Sequence, residues 1–420
     1  MPILDLPQLN PTDASPGDRI LILGAGYAGL RLAQTLGKLF DEQHSPEVVL
    51  IDRYSYHQVI TELPEAASGR IAQEEVALPL DTLLHRSRVR FEQAEVQRID
   101  PDARQVITTR GAIAYGTLVV ALGSVTAFYN VPGLVDNALT LKSVEDTDTI
   151  KTRVTQAVEQ AAQTTDPAAQ AALLSVLIGG AGLTGVELAG ELAELLPDLA
   201  REHGLDPRAP KVTLVEAAPA VLPSMPERLQ QRAAAILTDL RVRLVTGGRV
   251  IVADDAGLQL ASGDRLIGRT LVWTGGIMAP PLLAQSGLPT GHNGHVPVDS
   301  YLRAEGYDDV YVIGDAAQIL DQSGEGVLAP TAQVALKQAE VAAYNIAAGR
   351  EGWALRRYHP SDKGQVVSLG TERGVASIFH IPLSGRKVIA LKTLIAEAYR
   401  VEVTGSLFGR GRQHAAHQEA

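Results

Sequence analysis

A pattern that occurs twice limits this chain's fold more than anything else in it. Residues 173–178 form an apolar run that breaks into Gly180-Ala-Gly182-Leu-Thr-Gly185 and resumes at helical spacing through Val186, Leu188, Leu192 and Leu195. Residues 19–23 do the same, running into Gly24-Ala25-Gly26-Tyr27-Ala28-Gly29 and then Leu30, Leu32, Ala33 and Leu36. After each unit a second apolar strand ends in an acid, Asp52 in one case and Glu216 in the other. A strand, a tight glycine turn and a helix N-terminus set backbone N–H groups around a pyrophosphate, and the acid accepts ribose hydroxyls. One G-x-G-x-x-G is weak evidence, because glycine turns after strands are common. Two complete units predict an α/β fold with two Rossmann-like dinucleotide-binding domains.

The rest of the chain narrows the chemistry. At 420 residues there is room for two or three domains. A net charge of −11 argues against nucleic acid, which needs basic surface. There is no cysteine, which removes disulfide-reductase chemistry, thiolate nucleophiles and Cys-ligated zinc or iron–sulfur sites; no metal site is expected. Residues 1–17 read as a disordered leader without the basic start of a secretory signal. The uncharged stretches 111–135 and 270–291 are interrupted by Gly and Pro, so they read as buried strands and turns rather than membrane spans. A cytoplasmic chain is the expectation.

Taken in order, helical spacing over 144–170 ends at the Asp166-Pro167 break. The apolar segments 118–123 and 271–276 end in Gly123 and Gly276, as if each domain returned to its own nucleotide. A strand at 309–313 runs into Gly314-Asp315, which is a carboxylate at a sheet edge or simply a turn cap. Pro330-Thr-Ala332-Gln333 opens a helix that continues to Gln338. Strands follow across 358–381, then a helix near 388–401 and a polar tail.

One nucleotide does not need two cradles. One unit holding a resident cofactor and the other an exchanging one is the economical reading, with FAD and a nicotinamide as the pair. On these residues the chain resembles the flavoprotein superfamily with two dinucleotide-binding domains, and within it the type II NADH dehydrogenases (NADH:quinone oxidoreductases). Three motifs carry the closer resemblance: GLTGVELAGEL with Glu187, the segment Ala332-Gln333 to Gln338, and Asp362-Lys363-Gly364 to Gly370. The resemblance implies bound FAD, exchanging NADH, and a menaquinone or ubiquinone as acceptor.

It assigns the FAD domain to residues 18–150 and 291–355, the NADH domain to 151–290, and a small quinone-site and membrane-surface region to 356–420. In it, Gly24, Ala25, Gly26, Tyr27, Ala28, Gly29, Asp52 and Arg53 hold the FAD adenosine and pyrophosphate. Val96 lies near the adenine, Gly123 near the diphosphate and Asp315 on the ribityl chain. Gly180, Gly182, Gly185, Glu216 and Gly276 serve NADH. Ala332, Gln333 and Lys363 face the flavin, and Gln333, Gln338 and Lys363 the quinone.

Several of these residues keep an ordinary reading as well. Glu187 is either a catalytic carboxylate or an acid stabilised by the positive end of its own helix. Gln333 could cap a helix and Lys363 be solvated. Glu216, with no arginine beside it to receive a 2′-phosphate, predicts NADH over NADPH. In the last helix, Val388, Leu391, Leu394, Ile395, Ala398 and Val401 fall on one face, with Thr393, Glu397 and Arg400 opposite. Arg386, Lys387 and Lys392 give its start a basic character suited to a lipid surface, so residues 386–401 are expected on the inner face of the cell membrane. The same stripe could equally pack on the protein or on a second subunit as a homodimer. A soluble NADH:acceptor reductase serving ferredoxin or rubredoxin, and a slow redox-sensing flavoprotein, are the alternative functions.

Overall fold

The computed structural model describes residues 16–40, 46–320, 328–361 and 363–405. The expected leader thus lies almost wholly outside the described residues, as do the polar tail and Asp362 of the Lys-Gly motif. The chain divides into two compact units.

The first unit comprises residues 1–58, 77–125 and 277–362. Its centre is a parallel sheet in the order Val310–Val312, Thr117–Val120, Ile20–Leu23, Val48–Asp52, Val89–Gln93. Every residue of Ile20–Leu23 is buried, as a parallel strand covered on both faces must be, so the run carries no alternation. Leu21, Leu23, Val49, Ile51 and Val120 point to one side, where they pack against Ile99, Val106 and Ile113 of an antiparallel meander. The helix Tyr27–Leu39 packs against the helix Ala332–Glu351.

The second unit comprises residues 59–76, 126–276 and 363–420. Its parallel sheet runs Arg243–Thr246, Lys211–Glu216, Ser175–Gly179, Thr270–Trp273. In both sheets the strand before the glycine turn has the next strand of the chain on one side and a later strand on the other. That is the switch point at which doubly wound sheets bind nucleotides. A second meander, Val250–Asp254, Gly257–Leu260 and Arg265–Ile267, repeats the first.

These units do not follow the boundaries drawn from the sequence. Residues 59–76 join the second unit because the helix Leu63–Ala67 packs on the helices Val144–Gln163 and Leu183–Glu202. The C-terminal antiparallel sheet, Gly364–Leu369, Arg373–Ile378 and Ile381–Ser384, joins it too. Gly190 permits this: a Cβ there would stand 2.5 Å from the Gly370 backbone nitrogen. Asp166-Pro167 also behaves differently from the expectation. The long helix ends at Gln163, and Asp166 starts another, Pro167–Leu173, by accepting from the Ala168 N–H at 2.9 Å. Proline at the first helical position is favourable, because its missing N–H would have had no partner there.

The last helix, Arg386–Thr404, only partly keeps the faces of the sequence-based wheel, with Val388 of the apolar face buried. Arg400 is buried, whereas Leu394 is 66% and Ile395 49% exposed. Lys392 does not face outward either, since its ammonium is held between two carboxylates. No described helix is long and apolar enough to cross a membrane.

Candidate functional site

The two glycine turns have the same geometry to within a few degrees and about a tenth of an ångström. Gly24 has φ +98° and Gly180 φ +99°, a region open to glycine and strained for other residues. The N-cap glycines, Gly26 and Gly182, have φ/ψ of −68°/−169° and −70°/−168° and no side-chain cap. A Cβ on either would meet nothing within 4 Å, so each faces an open cradle. A Cβ on Gly29 would lie 1.8 Å from the Gly24 carbonyl oxygen, and one on Gly185 1.9 Å from that of Gly180. The third glycine therefore lets the helix seat directly on the turn.

The acids are held alike as well. Asp52 Oδ2 accepts from the Ala25 N–H at 2.6 Å and Oδ1 from the Tyr54 N–H at 2.8 Å. Glu216 Oε2 accepts from the Ala181 N–H at 2.7 Å and Oε1 from the Ala218 N–H at 2.8 Å. Each carboxylate keeps lone pairs for ribose hydroxyls. Burial lifts Asp52 above the usual carboxylate range, against the pull of the Ala25 and Tyr54 N–H groups. Orphan helix N–H groups, open space at the cap glycine and a fixed acid fit a dinucleotide pyrophosphate and ribose in both units.

In the first unit the structure brings further expected residues to the turn. A Cβ on Gly314 would lie 3.3 Å from the Ala28 side chain, which sets Gly314-Asp315 against the start of the first helix. Ser124, next to Gly123, donates to Asp315 Oδ2 at 2.8 Å. Gln338 is buried and its Oε1 accepts from the Gly314 N–H at 2.6 Å, so its amide serves the Asp315 loop. Ala332 and Gln333 open their helix, but the cap is Thr331, whose hydroxyl accepts from the Val334 N–H. Val96 packs on the apolar core, and the Arg53 guanidinium lies 4.9 Å over the Tyr54 ring.

In the second unit, Glu187 lies beyond the first turn of its helix. Its Oε1 accepts from the Ser368 N–H at 3.0 Å, the Ser368 hydroxyl at 3.2 Å and Lys392 Nζ at 2.6 Å. These partners come from the C-terminal sheet and helix, and the field of a helix end falls off within its first turn. Lys392 also donates to Glu65 Oε1 at 2.6 Å. One turn further along, Glu191 is chelated by Arg70 at 2.6 and 2.9 Å and accepts from the Ser68 hydroxyl at 2.8 Å. Arg400 pairs with Glu62.

Arg70 also lies 3.3 Å from Glu65 Oε1, so two cations, Lys392 and Arg70, serve three carboxylates, Glu65, Glu187 and Glu191. Burial pushes Glu187 up despite Lys392, and Lys392, which burial alone would lower, is held up by Glu187 and Glu65. The sequence reading missed Lys392, Glu65 and Ser368. The one available signal was a lysine among apolar neighbours, which is as common on a lipid-facing helix as in a buried pair. Lys363 is exposed and leads into the C-terminal sheet. Gly276 lies under the Tyr129 side chain, whose hydroxyl would be 2.0 Å from a Cβ on that glycine.

Two dinucleotide cradles on two doubly wound units define the class of protein: an oxidoreductase fold that handles a pair of nucleotide cofactors. A family model described as pyridine nucleotide-disulphide oxidoreductase matches residues 18–343. Proteins named type II NADH:quinone oxidoreductase from two Staphylococcus aureus strains are 33% identical over 399 residues, spanning 94% of this chain and 98% of theirs. The chain belongs to the pyridine nucleotide-disulphide oxidoreductase family and, within it, to the type II NADH:quinone oxidoreductases.

Solved structures agree on the fold. NDH2 from Plasmodium falciparum in complex with NADH superposes with a TM-score of 0.82 at 17% identity, covering 91% of this chain and 94% of that one. A sulfide:quinone oxidoreductase from Aquifex aeolicus follows at 0.75 and 16%, covering 95% and 94%.

Proposed function

We propose that this chain is an FAD-dependent, non-proton-pumping NADH:quinone oxidoreductase, with FAD in the first cradle and NADH in the second. The observation that carries the reading is the duplicated cradle in a chain without cysteine. Disulfide exchange needs thiols that this chain lacks, and the relatives are named for quinone reduction. When bound, FAD takes a hydride from NADH and hands two electrons on to a quinone.

The chain's own part is binding, orientation and protons. Gly24, Gly26 and Gly29, with Asp52, hold one dinucleotide; Gly180, Gly182 and Gly185, with Glu216, hold the other. Asp315, kept in place by Ser124 and by the Gln338–Gly314 bond, is suited to a hydroxyl-bearing chain. Through that bond Gln338 supports the Asp315 loop. Gln333 and Lys363 offer hydrogen-bond donors to flavin and quinone oxygens as these gain electron density.

Hydride brings one proton fewer than a hydroquinone needs, so the protein must admit another. Glu187 is the side chain for this, because its burial makes it easy to protonate while Lys392 remains charged beside it. Replacing Glu187 with Gln should lower turnover about 10²-fold or more with FAD still bound. Unchanged kinetics would remove it from the mechanism.

We also assign the C-terminal region a place on a lipid surface, at the inner face of the cell membrane. Leu394 and Ile395 are exposed on the helix, and Phe379 and Ile381, 65% and 61% exposed, lie on the neighbouring hairpin. Binding to liposomes supports this; dimerisation without liposome binding would transfer the surface to a second copy.

Anaerobic stopped-flow on the purified protein tests the main reading. NADH should bleach the visible flavin band and a ubiquinone or menaquinone analogue should restore it. Bleaching followed by recovery only with ferredoxin or rubredoxin would make the chain a protein-acceptor reductase, and a colourless protein would end the proposal.

A further inference from the structure

His57 is wholly buried in the first unit, and its Nδ1 lies 2.8 Å from the Ala25 carbonyl oxygen. A carbonyl only accepts, so Nδ1 carries the proton and donates. The Tyr27 ring meets the imidazole edge-on, with centroids 5.2 Å apart and planes at 79°, which fixes the ring's orientation. Ala25 is therefore pinned on both sides: its N–H by Asp52 and its carbonyl by His57. In a planar trans peptide, that carbonyl and the next residue's N–H point in opposite directions. Holding the Ala25 carbonyl toward the buried imidazole turns the Gly26 N–H the other way, and Gly26 faces open space. The second cradle does the same job without a side chain: the Ala181 carbonyl accepts from the Leu222 N–H at 2.8 Å.

We infer that His57 is a positioning residue of the first cradle, aiming the Gly26 N–H at the pyrophosphate through the Ala25–Gly26 peptide. The inference rests on the reading above that this cradle holds FAD. It distinguishes a donor at one atom from mere filling of the core. Asparagine puts its amide nitrogen near the place of Nδ1, glutamine puts it near Nε2, and leucine supplies volume with no donor.

The test is FAD binding, measured by reconstituting deflavinated protein and following flavin fluorescence, with NADH affinity by calorimetry as the control on the second cradle. Loss of one buried donor predicts FAD binding roughly tenfold weaker in His57→Leu and His57→Gln. His57→Asn should stay within about threefold of the parent, and NADH affinity should not move. If His57→Leu does not fold, the Asn and Gln variants decide the matter alone. Equal weakening in Asn and Gln, or none in either, overturns the role. Failure of the unaltered protein to retain FAD would instead overturn the cofactor assignment, so the two failures are separable.

Discussion

The two cradles are copies in backbone geometry and differ in what was built around them. Turn, cap and acid agree almost atom for atom, so nothing in the phosphate-binding geometry says which cofactor goes where. The differences lie one layer out. In the first cradle the residue after the cap glycine is the buried Tyr27, and a buried histidine fixes the turn. In the second the same position is the half-exposed Leu183 and a backbone amide fixes the turn. Five positions beyond the cap glycine, the first helix carries Arg31 and the second carries Glu187. Duplication thus supplied two nucleotide seats, and their neighbours made one a seat braced by a buried histidine and the other a seat beside a buried charge cluster.

The largest effect should come from taking that cluster apart. Lys392→Met removes the ammonium between Glu65 and Glu187. Removing one partner of a buried pair costs about 3–5 kcal/mol, to be read as a shift in the urea midpoint. The sign of its pH dependence follows from the acids left behind. Burial already raises the folded value of Glu187 and loss of the ammonium raises it further, so folded protein prefers that acid protonated, and stability is lost as pH rises through the folded value. The deficit should be largest near pH 8 and shrink toward pH 5. An equal deficit at both would show that the carboxylates are not what the lysine was holding.

The histidine of the first cradle has the opposite sign. Burial lowers His57 from 6.5 to about 4, against the pull of the Ala25 carbonyl. Between those values the unfolded chain binds the proton and the folded one does not, so stability falls as pH drops from 6.5 toward 4. The full depression corresponds to roughly 3 kcal/mol. The parent should therefore lose its stability advantage over His57→Asn across that window and keep it above pH 7. Parallel curves would mean that the imidazole titrates normally.

These two predictions mark where the sequence was readable. Both cradles could be read because each signal is local: glycines at fixed offsets, apolar runs and an acid at a strand end all lie within about forty residues. The duplicated sheets followed from the same runs. Lys392 beside Glu187 could not be read, because the two meet through the packing of the C-terminal segment on the helix Leu183–Glu202, and a helical wheel ranks a lysine as outward. Arg400 was misplaced for the same reason; its partner Glu62 sits in a segment that the sequence assigned to the other domain. His57 was passed over because a histidine after a strand-end acid has no periodicity to betray its burial. Buried charge is set by tertiary pairing, and local patterns do not carry it.

A smaller effect separates the two acids by function. Glu216 should accept both ribose hydroxyls of NADH and repel a 2′-phosphate, a charge-assisted bond being worth about 1.5–3 kcal/mol. This predicts kcat/KM for NADH about 10- to 100-fold above that for NADPH. Glu216→Gln should narrow the ratio while the flavin content stays unchanged. A parallel Asp52→Asn change should weaken flavin retention and leave the nucleotide preference alone. Equal kcat/KM for NADH and NADPH in the parent would remove Glu216 from the specificity argument.

The smallest effect concerns the residue just past the strand beside each glycine turn, where Ala121 in the first unit corresponds to Thr274 in the second. The Ala121 N–H donates to the Leu23 carbonyl and the Thr274 N–H to that of Gly179, so the two residues hold the same register. Only Thr274 adds a hydroxyl, which lies 3.1 Å from the Gly179 carbonyl oxygen and 3.0 Å from that of Gly180. A Cβ on Gly185 would stand 2.7 Å from it. The hydroxyl therefore braces the second turn, as the methyl group of Ala121 cannot brace the first. Thr274→Val keeps the shape and removes the donor. It should cost about 1 kcal/mol, seen as NADH binding weaker by about fivefold, with FAD content unchanged. An undiminished NADH affinity would show that the glycine turn needs no brace beyond its own backbone, and the two cradles would then differ only in the residues that flank them.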